Sequence, residues 1–280
     1  MPAIAARNLT FTYSGAGSPS MENVSFCIEK GEFVILTGPS GCGKTTFCRC
    51  LNGLIPNFYS GNLEGGLEVN GVNIIGKSTA ELATQIGFVF QNPENQLFSL
   101  SVERDVAFGL ENLAVPREEA IERTQWAMKA TGVYDLRDKA PYELSGGQQQ
   151  RAAIAGVLAM RPSILVLDEP TSFLDPRSAE EIIAVIAKLN RDLGLTTVLV
   201  EHRLDIVSRH ATRIIVMDKG RIALDGPPAE VYGDTARLIG IGLPRVTMLF
   251  HLLKLDGFPV TMNPTTVEEA ADSLRRITTK

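Results

Sequence analysis

Hydrophobic and polar residues alternate in two stretches near the start of the chain. In 9–13 and again in 24–28, every second residue is a large apolar or aromatic one. A two-residue period is typical of strands that bury one face and expose the other. The segment 14–20 between them is rich in Gly, Ser and Pro, which indicates a turn. The pattern therefore predicts an N-terminal antiparallel β subdomain.

Short, mostly apolar runs follow further along the chain, and each predicts a short strand. These runs are 33–36, 88–90, 164–167, 196–200 and 214–217. The first is typical of a strand that is buried on both faces. The sequence 67–71, which ends in Asn70-Gly71, indicates a further hairpin.

Helical periodicity separates several of these runs. In 178–193, apolar residues repeat at helical spacing up to Gly194, at Ile182, Ile183, Ile186 and Leu189. From about 92 to 160 the pattern is also helical, with a helix start at Pro116 and an end at Gly132. Because strands alternate with helices, we predict an α/β sheet that is interrupted by an α-helical subdomain at about 92–158.

The last part of the chain has a different pattern. Residues 247–255 are predicted to form an amphipathic helix. Thr265 and Thr266, followed by Glu268 and Glu269, predict a capping box that opens a last helix. We therefore expect one large domain over 1–235 and a short C-terminal helical extension over 236–280.

Composition and charge narrow the class of protein without giving a function. Lys and Arg number 27 against 32 Asp and Glu, and this net charge of −5 argues against nucleic acid as the main ligand. The longest apolar run, 152–160, is too short to span a membrane, and the N-terminus lacks the pattern of a signal peptide. The four cysteines crowd into 27–50 without the spacing of a disulfide framework or a zinc site, which is typical of a reducing cytoplasm.

The segment Gly38–Thr45 fits the phosphate-loop pattern G-x-x-x-x-G-K-[ST]. Its glycines let backbone N–H groups converge on phosphate oxygens, and the helix expected after it directs its positive end at the anion. Lys44 is expected to reach the β- and γ-phosphates, and the Thr45 hydroxyl is expected to bind Mg²⁺.

Two acidic residues end the predicted strand 164–167. Asp168 would bring a carboxylate to Mg²⁺ beside the phosphate loop. Glu169 follows it and can polarise an attacking water.

The stretch Leu144–Gln148 predicts a second phosphate cradle. Ser145 and the glycine backbone after it begin the helix that runs to about residue 160, so this helix end can bind a γ-phosphate. A chain with two such cradles is suited to an arrangement in which two chains hold one ATP between them.

These motifs together resemble the ATP-binding subunits of ATP-binding-cassette (ABC) transporters. The resemblance covers about residues 1–235 and rests on motifs in the order that the family has them: the phosphate loop, Gln91, 144–148 with Arg151, 164–169, 172–175 and His202. It implies a P-loop NTPase core of the ABC ATPase type. The chain departs from the family at Phe173, which is bulkier than the usual small residue at a contact between two subunits.

The resemblance also implies residue roles. Glu169 would be the catalytic base, His202 would contact the γ-phosphate, Gln91 would contact Mg²⁺ and the water, and Asp175 would communicate across a dimer. The ATP contacts implied are Tyr13, stacked on adenine, with Gly38, Pro39, Ser40, Gly41, Cys42, Gly43, Lys44, Thr45 and Thr46. The contacts implied to a partner's ATP are Leu144, Ser145, Gly146, Gly147 and Gln148. Tyr13 as an ordinary sheet aromatic and His202 as a structural histidine are the alternatives.

Within the family, four segments resemble the ATPases of energy-coupling factor (ECF) transporters: 61–67, 92–98, 102–109 and 240–245. This resemblance implies a groove that receives a coupling helix of a membrane scaffold protein, and the apolar pair Leu97 and Phe98 suits it. The alternative is that the pair belongs to the core of the helical subdomain. The C-terminal extension is implied to help hold two ATPases together, with a helix pair packed on its own domain as the alternative.

The expected function is that of an ATP-hydrolysing motor subunit of an ECF importer for a vitamin or a transition-metal ion, with Mg²⁺ as cofactor. The implied partners are a second, identical or different ATPase, a transmembrane scaffold and, indirectly, a substrate-capturing membrane protein, which places the chain at the cytoplasmic face of the membrane as a peripheral subunit. The alternatives are a conventional ABC transporter ATPase and a non-transport ABC protein. The chain has neither the long coiled-coil insertion nor the second cassette of the latter.

Cys42 lies inside the phosphate loop. Because helix N-termini lower the pKa of thiols, one hypothesis is that oxidation of Cys42 blocks ATP binding. The alternative is an inert variable position.

Overall fold

The computed structural model describes residues 1–233, 236, 239–260 and 263–278, with side chains to residue 276. The strands are β1 (Ile4–Tyr13), β2 (Met21–Ile28), β3 (Phe33–Thr37), β4 (Gly61–Val69), β5 (Val72–Asn73), β6 (Ile86–Val89), β7 (Ile164–Asp168), β8 (Thr196–Val200), β9 (Arg213–Asp218) and β10 (Arg221–Gly226). The α-helices are α1 (Lys44–Leu51), α2 (Leu54–Asn57), α3 (Thr79–Leu82), α4 (Val102–Asn112), α5 (Arg117–Thr131), α6 (Gly146–Ala159), α7 (Pro176–Leu193), α8 (Leu204–Val207), α9 (Pro228–Val231), α10 (Arg245–Leu255) and α11 (Val267–Thr278). Single 3₁₀ turns lie at Pro93–Asn95, Tyr134–Leu136, Pro141–Glu143 and Ser208–His210.

The smaller sheet is the N-terminal antiparallel one, in the order β2-β1-β4-β5. The alternation in the sequence becomes a buried and an exposed face, with Leu9 and Phe11 fully buried and Ser25 exposed. Asn70 and Gly71 both have positive φ and join β4 to β5, as the hairpin pattern predicts. The predicted β subdomain is therefore confirmed.

The larger sheet has six strands in the order β10-β9-β3-β8-β7-β6. The strands from β9 to β6 are parallel, and β10 is an antiparallel edge strand that the apolar runs did not predict. The strand predicted at 88–90 lies slightly earlier, at Ile86–Val89. Leu36 and Asp168 both pair with Val200 in the register of the sheet. The carboxyl ends of β3, β7 and β8 therefore meet at one edge.

Three longer helices, α4, α5 and α6, form the insertion between β6 and β7. α5 begins directly after Pro116 and ends at Gly132, whose φ is 71°, as predicted. Apolar residues from all three helices share a core with β7 and α7, among them Val106, Met128 and Ile154.

Helix α7 begins earlier than residue 178, the predicted start. Asp175 caps it, and Pro176 occupies the first turn, where its missing N–H costs nothing. The predicted stripe Ile182, Ile183, Ile186 and Leu189 is buried under the large sheet.

The C-terminal part forms a small cluster of its own around Phe250, Val260 and Ala270. Thr266 Oγ accepts a hydrogen bond from Glu269 N (3.2 Å), and the Glu269 carboxylate accepts one from Thr265 N (2.8 Å), so the predicted cap forms with its return hydrogen bond one residue earlier than in a capping box. The predicted amphipathic character of 247–255 is wrong, because α10 exposes Leu249, Leu252 and Leu255 while Phe250 and His251 are buried. The domain boundary was predicted between residues 235 and 236, and residue 235 lies outside the described residues. Among the helices that are described, none is long and apolar enough to cross a bilayer.

Candidate functional site

The phosphate loop joins β3 to α1 and is built on glycines that no other residue could replace. Gly38 has φ 144°, and a Cβ there would lie 2.0 Å from the carbonyl oxygen of Met217. Gly43 has φ 108°, and a Cβ there would lie 2.6 Å from Ser20 O. The left-handed backbone and the close approach of neighbouring carbonyls both exclude a side chain.

Lys44 begins α1, and its side chain folds back over the loop. The buried ammonium donates hydrogen bonds to Gly38 O (2.9 Å) and Pro39 O (3.0 Å). A third contact of the ammonium, at 3.7 Å, is with Cys42 Sγ, so all three of its donors face the loop and the charge lies inside the curve of the loop. The arrangement concentrates one positive charge and a helix N-terminus at one point, which suits a phosphate.

A carboxylate and a hydroxyl lie next to this loop. Thr45 Oγ is 3.5 Å from Asp168 Oδ1, at the end of β7. Burial raises the pKa of the Asp168 carboxyl, and the charge of Glu169 raises it further, while the contact with Thr45 opposes them. A carboxylate and a hydroxyl oxygen are hard donors of the kind that Mg²⁺ prefers, and a divalent cation would relieve the repulsion between Asp168 and Glu169. These residues therefore fit a magnesium ion.

Glu169 is the point at which three loops meet. Its Oε1 lies 3.2 Å from His202 Nε2, and its Oε2 accepts hydrogen bonds from Gln91 Nε2 (2.8 Å) and Ser172 Oγ (3.0 Å). The backbone of Glu169 has a φ of 49°, a left-handed conformation that turns the chain sharply after β7. The structure thus brings together Glu169, Gln91 and His202, which the sequence placed in separate motifs.

Tyr13 ends β1 and lies against the helix that follows the phosphate loop. Its hydroxyl is 3.2 Å from Thr46 Oγ and accepts a hydrogen bond from Arg49 (3.3 Å). The guanidinium of Arg49 lies 4.3 Å from the ring centroid of Tyr59, and that ring meets Tyr13 edge to face. Arg49 and Tyr59 were not predicted, because neither belongs to a spaced motif.

The 144–148 segment forms the start of α6, as predicted. Ser145 Oγ accepts from Gln148 N (3.4 Å), and Gln148 Oε1 accepts from Ser145 N (3.0 Å), which is a capping box. Leu144 is buried and anchors the turn, and Gly146 and Gly147 supply the first two helical positions. Side chains of Ser145 and Gln148 therefore fix the helix end, and the two glycines add no side chains of their own to it.

This helix end opens onto a cavity of about 700 Å³. The described lining comes from the segments around Gln91, Tyr142, Gly146 and Phe173 and includes no residue of the phosphate loop. Within one chain the two predicted phosphate cradles are therefore separate sites.

Asp175 caps α7 with both carboxylate oxygens. Oδ1 accepts from the N–H groups of Arg177 and Ser178, each at 3.0 Å, and Oδ2 accepts from Ser178 Oγ at 2.6 Å. These hydrogen bonds, from Ser178 above all, lower the pKa of the Asp175 carboxyl. Phe173, two residues earlier, is 71% exposed.

The predicted apolar pair divides between core and surface. Leu97 packs against the core of the helical insertion, whereas Phe98 is 66% exposed and meets Phe108 edge to face at 4.8 Å. Asp105 holds this turn, because its Oδ1 accepts from the N–H groups of Phe98 (3.1 Å) and Ser99 (3.0 Å). Its buried Oδ2 has no hydrogen-bond partner among the described residues.

Two adjoining cavities of about 290 Å³ each lie beside this turn. Both are lined by Phe90, Gln96, Val157 and Met160. We call this surface the interdomain groove, because it separates the large sheet from the helical insertion.

The hypothesis of a reactive Cys42 is not supported. The thiol is buried, and burial raises the pKa of Cys42 in spite of the nearby ammonium of Lys44. The sequence argument counted the helix N-terminus and left out desolvation, which has the larger effect here.

Comparison with known proteins agrees with this geometry. A family model described as "ABC transporter" matches residues 21–172. A Pyrococcus abyssi protein that carries the name of an ABC transporter ATP-binding protein is 46% identical over 259 residues, 92% of each chain. An energy-coupling factor transporter ATP-binding protein of Caldanaerobacter subterraneus is 41% identical over 98% of this chain and 96% of its own.

Two solved structures are similar over most of the chain. The protein cbiO1 of Clostridium perfringens, part of the ABC transporter complex cbiONQ, is 36% identical with a TM-score of 0.76, over 89% of this chain and 99% of its own. A dimeric ATP-binding cassette in a post-hydrolysis state, bound to ADP and Pi, is 31% identical with a TM-score of 0.70, over 80% of this chain and 98% of its own.

Proposed function

The chain belongs to the ABC transporter family as an ABC ATPase, and we propose that it is the ATP-hydrolysing motor subunit of an energy-coupling factor importer. The cargo we propose is a micronutrient, a vitamin or a transition-metal ion. The observation that carries the ATPase assignment is the meeting of Glu169, Gln91 and His202 beside the phosphate loop.

The proposed chemistry is largely electrostatic. The Lys44 ammonium and the backbone N–H groups of the loop stabilise the charge of the phosphates, while Glu169 accepts a proton from the attacking water and orients it. Bound Mg²⁺ would neutralise phosphate charge, and Thr45, Asp168 and Gln91 are the residues we propose to hold it. His202 would donate to the γ-phosphate, and the adenine would stack on Tyr13.

A complete site needs two chains in this proposal. The start of α6, with Ser145 and its glycines, would close on the ATP that the phosphate loop of a partner holds, and Asp175 would carry the state of one site to the other. The dimeric cassette with ADP and Pi supports such an arrangement, as do the separate positions of the two cradles in one chain. The partner is a second copy of this chain or a different ATPase.

The interdomain groove is the proposed contact with the membrane scaffold. It is apolar, it contains the exposed ring of Phe98, and it contains a buried Asp105 oxygen that a docked helix could satisfy. Opening and closing of the ATPase pair would move the scaffold through this contact, and a separate membrane protein would capture the cargo. The chain would then be peripheral, at the cytoplasmic face of the membrane.

Purification from native membranes tests this assignment. We expect an affinity-tagged chain to retain a transmembrane scaffold, a small substrate-capturing membrane protein and a second ATPase, identified by mass spectrometry. Recovery with a pair of permease domains and an external binding protein would instead establish a conventional ABC transporter. Recovery with no membrane protein, in detergents that preserve such complexes, would contradict both assignments.

A further inference from the structure

Glu201 follows directly after β8 and is a buried carboxylate to which the mechanism above gives no role. Its exposed fraction is only 2%. Oε1 accepts hydrogen bonds from the backbone N–H groups of His202 (2.8 Å) and Arg203 (3.0 Å). Oε2 accepts one from the hydroxyl of Thr171 (2.5 Å), which is fully buried. All three donors are uncharged groups.

The carboxylate joins the two loops that carry the proposed catalytic pair. One of its oxygens fixes the backbone of His202. The other holds Thr171, which lies between Glu169 and Ser172 in the loop that follows β7. Ser172 in turn donates to Glu169 Oε2, and the backbone of Glu201 is 3.4 Å from Leu36 O, at the end of the strand that leads into the phosphate loop.

A buried carboxylate is costly unless hydrogen bonds stabilise it, so an accidental one is seldom retained. The hydrogen bonds from Thr171, His202 and Arg203 supply that stabilisation here. Such a link restricts two loops to one relative position. The distance that this position sets is the 3.2 Å between His202 Nε2 and Glu169 Oε1.

We propose that Glu201 is a positioning residue for ATP hydrolysis, which holds the His202 loop against the Glu169 loop through Thr171. The inference rests on the proposed roles of Glu169 and His202. Glu201 does not touch nucleotide in this scheme, so its loss should slow turnover and leave ATP binding in place.

Four variants of the full chain separate the interactions. Glu201→Ala removes all three hydrogen bonds, and Thr171→Val removes only the hydroxyl at nearly constant volume. Glu201→Gln is the matched control, because its carbonyl oxygen still accepts from both N–H groups and its amide can donate to Thr171. Thr171→Ser keeps the hydroxyl and controls for the valine variant.

Steady-state hydrolysis of ATP gives the expected pattern. We expect kcat to fall by roughly 10- to 100-fold in Glu201→Ala and Thr171→Val, the range in which a misplaced catalytic group acts. The KM for ATP should change by less than about threefold, since binding of the ground state is not involved. Glu201→Gln and Thr171→Ser should remain within about threefold of the wild-type kcat.

The decisive measurement repeats Glu201→Ala and Thr171→Val in a His202→Ala background. If Glu201 acts through His202, the second substitution should lower the residual rate by less than about twofold. A full further loss in that background, or wild-type turnover in both single variants, would overturn the inference. If Glu201→Ala does not unfold cooperatively on heating, it is not correctly folded, and the comparison of Thr171→Val with Thr171→Ser then tests the positioning role.

The same hydrolysis assay tests the proposed site independently of Glu201. Wild-type turnover in His202→Ala or in Glu169→Gln would refute the roles assigned to those residues. Loss of turnover in both, together with an unaffected Thr171→Val and Glu201→Ala, would refute only the positioning role.

Discussion

Each oxygen of the Glu169 carboxylate has a contact of its own. Oε1 lies next to His202 Nε2, and Oε2 accepts hydrogen bonds from Gln91 and Ser172. A carboxylate that is fixed on both sides loses little freedom when it orients a water, so the geometry suits a base that acts from one position.

Substitution of Glu169 by Gln tests that role. The amide keeps the size of the side chain and can still bond to its neighbours, but it cannot accept a proton. We expect turnover to fall by at least about 100-fold, the lower end of what general-base catalysis contributes, while ATP affinity persists and ATP traps a dimer. Hydrolysis assays, titration calorimetry and sedimentation measure the three effects.

Lys44→Ala is the contrasting variant for that series. It removes the charge that the loop encloses, so nucleotide binding itself should weaken strongly. Unchanged affinity in Lys44→Ala, or wild-type turnover in Glu169→Gln, would contradict the assignment.

The thiol of Cys42 gives a second prediction at this scale. Burial raises its pKa above the ordinary 9.0, so the thiolate, which is the reactive form, is scarce at every pH below that value. Cys27 is exposed and serves as the internal control. With iodoacetamide at pH 7–9, peptide mapping should find Cys27 modified long before Cys42.

A functional assay completes the thiol test. Peroxide should inhibit the wild type and Cys42→Ser to the same degree. Protection by that substitution, or rapid labelling of Cys42, would restore the hypothesis of a redox-sensitive loop.

Individual residues were predictable where they belong to a spaced motif. Glu169 and His202 each follow an apolar run, and parallel strands bring such positions to one edge. Glu201, Thr171 and Arg49 belong to no such pattern, and their importance lies in contacts between loops that are distant in sequence. No local pattern in the sequence indicates which acidic residue will be buried against which hydroxyl group.

At the scale of elements, boundaries were set by capping chemistry as much as by hydrophobic period. The apolar stripe located α7 but placed its start at residue 178, because the stripe begins there. Asp175 and Pro176 begin the helix earlier, and they were visible in the sequence as a cap and a first-turn proline. Strand β10 was missed because it lies at an edge and only alternate residues are partly covered.

Asp105, in the first turn of α4, gives a prediction about the contact with the membrane scaffold. Asp105→Asn keeps an acceptor for the N–H groups of Phe98 and Ser99. It replaces Oδ2, which lies beside the groove without a hydrogen-bond partner among the described residues, by an uncharged amide nitrogen. We expect association with the membrane scaffold to weaken, as measured by the yield of the scaffold in detergent pull-downs.

Glu111→Gln is the matched control for that experiment. It removes an equal charge from the exposed far end of the same helix and should leave the yield unchanged. Equal yields from Asp105→Asn and the wild type, with both chains folded by thermal unfolding, would show that the groove does not use this carboxylate.

At the scale of the whole molecule, the surface around the 700 Å³ cavity exposes large aromatic side chains. Tyr142 and Phe173 line it and are 85% and 71% exposed. Large exposed aromatics beside a helix N-terminus are typical of a surface that a partner covers. The fold could be predicted from the sequence because most elements bury their apolar faces within one chain, and the exposed leucines of α10 are an exception. The geometry of the complete site could not, since the proposed contacts of residues 144–148 are made to the ATP of a second chain.

Phe173 therefore tests the dimer directly. The family's small residue at this position led to the concern that a phenyl ring disturbs the contact, whereas its exposure here makes it available to a partner. Complete burial of the ring would contribute about 1.5–3 kcal/mol, so Phe173→Ser in a Glu169→Gln background should raise the dissociation constant of the ATP-bound dimer by roughly 10- to 100-fold. Phe58→Ser is the matched control, because that ring is 70% exposed but lies on the interdomain groove. Sedimentation with ATP should show the weakened dimer only for Phe173→Ser. An equally tight dimer would mean that the ring contributes nothing to the contact, and a tighter dimer would mean that the ring hinders it.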